Sequence, residues 1–217
     1  MNHVLLRVVL CGLLLFPSLV PAAPPALSPG DLTRLDRGEI LFRDQLPSAD
    51  GAPAGNGGTA VALLRTDLET VWRILTDFAH YAGLFPRLKE SEVIDHDGAR
   101  ALVRFLVAAG PLNFRFSVAH VVSVADRRIR WRLDRSRAHD LFHDTWGYWQ
   151  LDPLPGGGVL VTYAMGSHTV LPAFLTRGSE QESVVKTVAA LKARVERLPQ
   201  RSATLTAPHR LGEPSGL

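Results

Sequence analysis

The chain has 217 residues, 46% of them hydrophobic and 21% charged, enough apolar sequence to bury one sizeable core and a cavity besides. Its 24 basic and 21 acidic residues give a formal net charge of +3 with the signs mixed along the chain, too weak a bias for a nucleic-acid partner. The one cysteine, Cys11, lies in the apolar run near the start, so the mature chain is expected to have neither a disulfide nor thiol chemistry.

Arg7 precedes an apolar run from Val8 to Val20, which is interrupted by Pro17 and followed by Pro21-Ala22. That run is shorter than the roughly 20 apolar residues of a bilayer-spanning helix. Residues 1–22 are therefore read as a signal peptide, and the mature protein as periplasmic or secreted. Residues 23–30, "APPALSPG", are too proline-rich for a helix and read as a linker. Residues 31–198 form one domain, and 199–217, polar and without periodicity, a disordered tail.

Within the domain, 32–47 reads as a short helix or turn followed by a strand, and "SADGAPAGNGG" (48–58) as a flexible loop without phosphate-loop spacing. Thr59 to Arg65 is an apolar strand. Thr66 and Glu69 fit a capping box that opens a helix, along which Leu68, Val71, Trp72 and Leu75 form one apolar stripe. Asp77 to Phe85 is a second short helix, stopped by Pro86. About five meandering antiparallel strands follow, divided at Asp97-Gly98, Gly110-Pro111, Ala125-Asp126 and the glycines 156–158. Ser179 and Glu182 fit a second capping box, and Val184, Val188, Leu191, Val195 and Leu198 form the stripe of a last helix lying on the sheet.

"LETVWRILTDFAHYAGLFPRLKESEV" (68–93), "GYWQLDPLPGGGVLVTY" (147–163), "LPAFL" (171–175) and "VAALKARVE" (188–196) resemble the START-like superfamily, in its coenzyme Q-binding and polyketide cyclase-like branch, and "LDRGEIL" resembles that of exported bacterial members. The resemblance covers about residues 59–197. It implies an α+β helix-grip fold, a curved antiparallel sheet wrapped around a long C-terminal helix with a short helix pair near the start. It also implies that the pair closes one end of a cavity, with Phe78, Tyr81, Leu84 and Phe85 as candidate mouth residues.

Strand alternation supplies the other candidates. Phe114, Phe116, Val118, His120 and Val122 share one face of their strand. Ile129, Trp131 and Leu133 face inward from the next, while Arg128, Arg130 and Arg132 form a solvated stripe. Val159, Val161, Tyr163 and Met165 are the inner set of the last strand. In 141–151 either His143 with Trp149 or Trp146 with Tyr148 is internal. Arg104 either meets a ligand's acidic group or stands on the outer face. His139 and His143 would lie about 13 Å apart along a strand, too far to share a metal, and Ser167-His168 point to opposite faces, which excludes a serine nucleophile.

The reading is a monomeric, exported domain whose cavity binds or transfers a hydrophobic small molecule such as a lipid, isoprenoid or quinone, without metal or other cofactor. It leaves transient membrane contact open. The alternative is a cyclase or aromatase in which His120 or Tyr163 moves a proton on a bound carbonyl compound.

Overall fold

The computed structural model describes residues 26–49, 51–109, 111–171 and 173–198. The stretches read as a signal peptide (1–22) and a tail (199–217) lie outside the described residues. In chain order the elements are α1 (Pro29–Asp36), β1 (Leu41–Arg43), β2 (Asn56–Leu64), α2 (Leu68–Thr76), a 3₁₀ turn (Phe78–Gly83), β3 (Leu88–His96), β4 (Arg100–Ala109), β5 (Leu112–Ser123), β6 (Arg128–Leu133), β7 (Phe142–Pro153), β8 (Val159–Thr169) and α3 (Ala173–Glu196). The strands form one sheet in the order β1-β2-β8-β7-β6-β5-β4-β3, every neighbouring pair antiparallel. Six strands rather than five follow the helix pair.

The helix-grip arrangement follows from two apolar stripes. Val184, Val188, Leu191 and Val195 of α3 are buried, and the helix packs on the inner faces of β2 and β8. Small side chains Ala60 and Ala62 of β2 are buried there and leave room for the helix to approach. Beyond it, the inner residues of β4 to β8 meet α2 and the 3₁₀ turn in one core with Val71, Leu75 and Phe78.

Several local expectations are corrected. The linker reading of 23–30 fails at its end, because Ser28 caps α1 and Pro29 opens it, the helix position where a proline is tolerated best. Leu27 and Leu35 then pack on Leu41, Val61, Leu63 and Leu160 as a second small core on the outer side of the sheet. β2 begins at Asn56, inside the stretch read as loop. The cap of α2 is Asp67, not Thr66: its Oδ1 accepts from the Thr70 amide at 2.7 Å and its Oδ2 from the Thr70 hydroxyl at 2.9 Å. The Ser179–Glu182 capping box is also wrong, since α3 starts at Ala173, where the resemblance of "LPAFL" placed it. Leu198 lies just past the helix, half-buried.

The arginines of β6 do not form a solvated stripe. Arg130 is exposed, but Arg128 is buried with its guanidinium 4.1 Å from the centre of the Tyr148 ring. Arg132 and Arg135 both donate to Oδ2 of the fully buried Asp144, at 2.8 and 2.7 Å. Asp144, Trp146 and Tyr148 make the outer face of β7, with the Trp146 Nε1–H donating to the Pro47 carbonyl at 2.9 Å.

Candidate functional site

Between the concave face of the sheet, the 3₁₀ turn and α3 lies a cavity of about 260 Å³. Its mouth is marked by exposed Pro86, Arg87 and Leu171. Strand alternation builds its walls. Phe116, Val118 and His120 come from β5, Trp131 from β6, Trp149 from β7, and Tyr163 and Met165 from β8. Tyr81 and Phe85 close one side.

The aromatic groups form a continuous wall. Phe85 stacks on Trp149 at 5.9 Å, Trp149 meets Tyr163 at 4.2 Å, and Tyr163 stacks on Trp131 at 5.5 Å. His120 lies 6.4 Å from Trp131 and 4.5 Å from Phe78. Trp131 can take this place because Gly147 sits opposite it on β7, where a Cβ would collide with the indole and with the Ala164 carbonyl. Tyr81 is held by its hydroxyl, which donates to the Leu75 carbonyl at 2.5 Å, and its ring is parallel to Phe105 at 6.2 Å.

The remaining expected site residues lie elsewhere. Phe78 and Val161 are buried in the core beside the cavity and Phe114 is half-buried further along β5; none of the three lines it. His143 is a correction. Phe142 pairs with Thr169 but Asp144 pairs with His168, so His143 is the extra residue of a bulge. It points out to solvent, its ring 5.0 Å from that of His168. The bulge also shifts the parity of β7, which puts Phe142, Thr145, Gly147 and Trp149 on the inner face. Arg104 is on the outer face, its Nε 3.1 Å from the Glu92 carboxylate.

Two parts of the lining escaped the sequence reading. Phe105 shares a face with buried Ala101 and Val103, a parity signal present in "ALVRFLV". The other is a polar wall where β7 and β8 face α3: Thr145, Ser167, Thr169, Ser179, Glu180, Ser183 and Thr187. No local pattern marks it, because it joins distant strands to a helix interior.

Burial sets the electrostatics. His120 is 4% exposed, and desolvation pushes its imidazole down to about 4, against a weaker opposing effect of the Ala101 and Val118 carbonyls. It is neutral at pH 7, and its Nδ1 has no hydrogen-bond partner among the described residues. Desolvation raises the Tyr81 and Tyr163 hydroxyls above their ordinary range, so both stay protonated. It also raises the Glu180 carboxyl, opposed by hydrogen bonds from Ser167 and Asn56.

A larger groove of about 700 Å³ lies at the far end, between α1, the start of α2 and the end of α3. Its rim carries Asp36, Arg37, Arg65, Asp67, Arg73, Lys192 and Glu196, and Arg65 is paired with Asp36 at 2.9 Å. This mixed-charge surface offers an apolar ligand less than the aromatic cavity does. Among the described residues, no three His, Cys, Asp or Glu side chains are gathered where they could hold a metal ion, and no helix is long and apolar enough to cross a membrane.

Comparison with known proteins fits this geometry. Residues 65–192 match the family model for polyketide cyclase / dehydrase and lipid transport. A protein from Thermus thermophilus is 22% identical over 64% of this chain and 95% of its own, with a TM-score of 0.56. A STAR-related lipid transfer protein from Xanthomonas axonopodis is 18% identical over 73% of this chain and 93% of its own, at 0.55. An aromatase/cyclase from Streptomyces sp. R1128 is 16% identical over 64% and 92%, at 0.54. At such identities these likenesses are of fold. No curated protein matches the chain.

Proposed function

Because the chain belongs to the polyketide cyclase / dehydrase and lipid transport family, we propose that it binds or carries a hydrophobic small molecule in the cavity between its sheet and α3. The observation that carries this reading is the wall formed by Phe85, Trp149, Tyr163 and Trp131 around about 260 Å³. Apolar surface moved from water onto such a wall contributes about 25 cal/mol per Å². His120 is the polar group that orients the ligand at the aromatic end.

Binding is favoured over the cyclase or aromatase reading by the state of His120. An imidazole pushed down to about 4 is a weak base, and a general base works best with a pKa near the working pH. Among the described residues no carboxylate acts on His120 to raise it; its ring neighbours are Phe78, Phe105 and Trp131. The test is mass spectrometry of material extracted from the protein purified from its producing cell, together with titration of an apolar fluorescent probe. A stoichiometric apolar compound that competes with the probe is expected. Absence of both an extractable compound and saturable probe binding would overturn the proposal.

The proposal includes export, supported by the apolar run Val8–Val20 and the Pro21-Ala22 that follows. The intact mass of the mature protein should correspond to a start near Ala23, and a chain retaining residues 1–22 would refute it.

A further inference from the structure

We propose that Glu180 selects the ligand: the cavity takes a compact, uncharged ring compound that carries a hydroxyl, and that hydroxyl donates to Oε2 of Glu180. The inference rests on the cavity being a ligand site, as proposed above.

The geometry of Glu180 points to this role. Its carboxylate accepts from the Ser167 hydroxyl, at 2.7 Å to Oε1, and is also bonded by the Asn56 side chain, while Oε2 is buried with no hydrogen-bond partner among the described residues. A buried acceptor without a donor is costly, and for a charged group more so than for a neutral one. The bonds from Ser167 and Asn56 tie this carboxylate to β8 and β2 but leave Oε2 without a donor. The position is in the interior of α3 and not at its cap, and the α3 stripe that seats the helix is Val184, Val188, Leu191 and Val195. Glu180 makes no ion pair among the described residues, so its acceptor is left for whatever enters the cavity.

The charge pattern narrows the ligand further. Among the described residues, Glu180 and Arg87 are the charged side chains lining the cavity, and Arg87 stands at the mouth, 4.0 Å from Glu182. His120 at the other end is neutral. A ligand carboxylate or phosphate would therefore meet a carboxylate in the interior with no cation among the described residues to offset it, whereas a hydroxyl supplies the missing donor. The hydroxyls of Thr145, Ser167, Thr169 and Ser183 surround the same wall.

Size bounds the rest. A closed apolar cavity of about 150 Å³ holds benzene, so about 260 Å³ suits one or two fused rings. A lipid with two long chains would leave most of its length outside the mouth.

Three probes of one shape test the proposal on the full mature chain freed of bound material: naphthalene, 2-naphthol and 2-naphthoate, by equilibrium dialysis at pH 7. A hydrogen bond to a charged group contributes roughly 1.5–3 kcal/mol, so 2-naphthol should bind about tenfold or more tightly than naphthalene. 2-Naphthoate should bind worst. In Glu180→Leu the preference for 2-naphthol should vanish while naphthalene binding remains. In the isosteric Glu180→Gln, Ser167 holds the amide oxygen at the Oε1 place, which puts the amide N–H donors where Oε2 was. That variant should lose 2-naphthol affinity and gain 2-naphthoate affinity, and it carries the test should the leucine variant fail to melt cooperatively. Equal binding of 2-naphthol and naphthalene by the parent, or an unchanged preference in the variants, overturns the role of Glu180 and leaves the cavity reading standing. No binding of any probe overturns both.

Discussion

The two faces of β7 carry equally buried indoles with different surroundings. Outer Trp146 and inner Trp149 are 2% and 3% exposed. Trp146 lies on backbone: a Cβ at Gly166 would come within 2.5 Å of its ring, and its one donor is satisfied by the Pro47 carbonyl. Trp149 has the rings of Phe85 and Tyr163 beside it and itself lines the cavity. Burial alone therefore does not separate packing from a binding wall. The separation comes from what stands opposite, a close-fitting loop on one side and a helix held at a distance on the other.

The largest effects should break the outer face. Trp146→Ala removes a ring seated on Gly166 and leaves the Pro47 carbonyl without its partner, for a loss of about 3–5 kcal/mol. Chemical denaturation should record that loss, while the folded fraction keeps its affinity for an apolar probe. A variant that keeps its stability but loses the probe would reverse the assignment of the two faces.

Inside, the sensitive group is His120. Its folded value of about 4 lies below the 6.5 of a free imidazole, so the stability it permits is fully present above pH 6.5. As pH falls toward 4 the unfolded chain gains a proton that the folded chain does not, and about 3 kcal/mol is lost. His120→Phe has no such proton. The stability difference between parent and variant should shift by that amount between pH 7 and pH 4, and a constant difference would mean that His120 is not held neutral in the core.

How much of this was legible depended on whether a strand kept its period. β5 and β8 alternate without interruption, so Phe116, Val118, His120, Tyr163 and Met165 were placed correctly from parity alone. β7 carries a bulge at His143, and one extra residue reverses every later assignment. That is why His143 and Trp149 looked like partners and are not. The arginines of β6 were misread for another reason: their alternation was right, but Tyr148, on which Arg128 is buried, and Asp144, which pairs with Arg132, belong to the neighbouring strand. Glu180 was hidden because Ser179 to Glu182 has the local form of a helix start, and only the three-dimensional meeting with Ser167 shows otherwise.

Val161 and Val118 sharpen the comparison within the inner face itself. Both are buried and both point inward from their strands. Val161, fully inaccessible, belongs to the solid part of the core and does not line the cavity. An indole at that position has nowhere to go, so Val161→Trp should cost roughly 1–3 kcal/mol or more, read as a lower melting temperature.

Val118 is 2% exposed but lines the cavity beside His120 and Phe116. Its strand partner Leu133 on β6 and Val103 on β4 fix the backbone on either side, so the added ring can extend only away from the sheet, into the about 260 Å³ in front of it. That space exceeds the roughly 150 Å³ that holds a benzene ring, and the ring gains contact with Trp131 and Phe105 instead of colliding with them. Val118→Trp should therefore melt within about 1 kcal/mol of the parent, since it fills space and does not overpack a solid core. It should also lose the bound hydrophobic compound and most of the affinity for an apolar probe. A Val118→Trp protein as unstable as Val161→Trp would mean that the inner face is packed like the outer one. The carrier reading would then lose the space on which it depends.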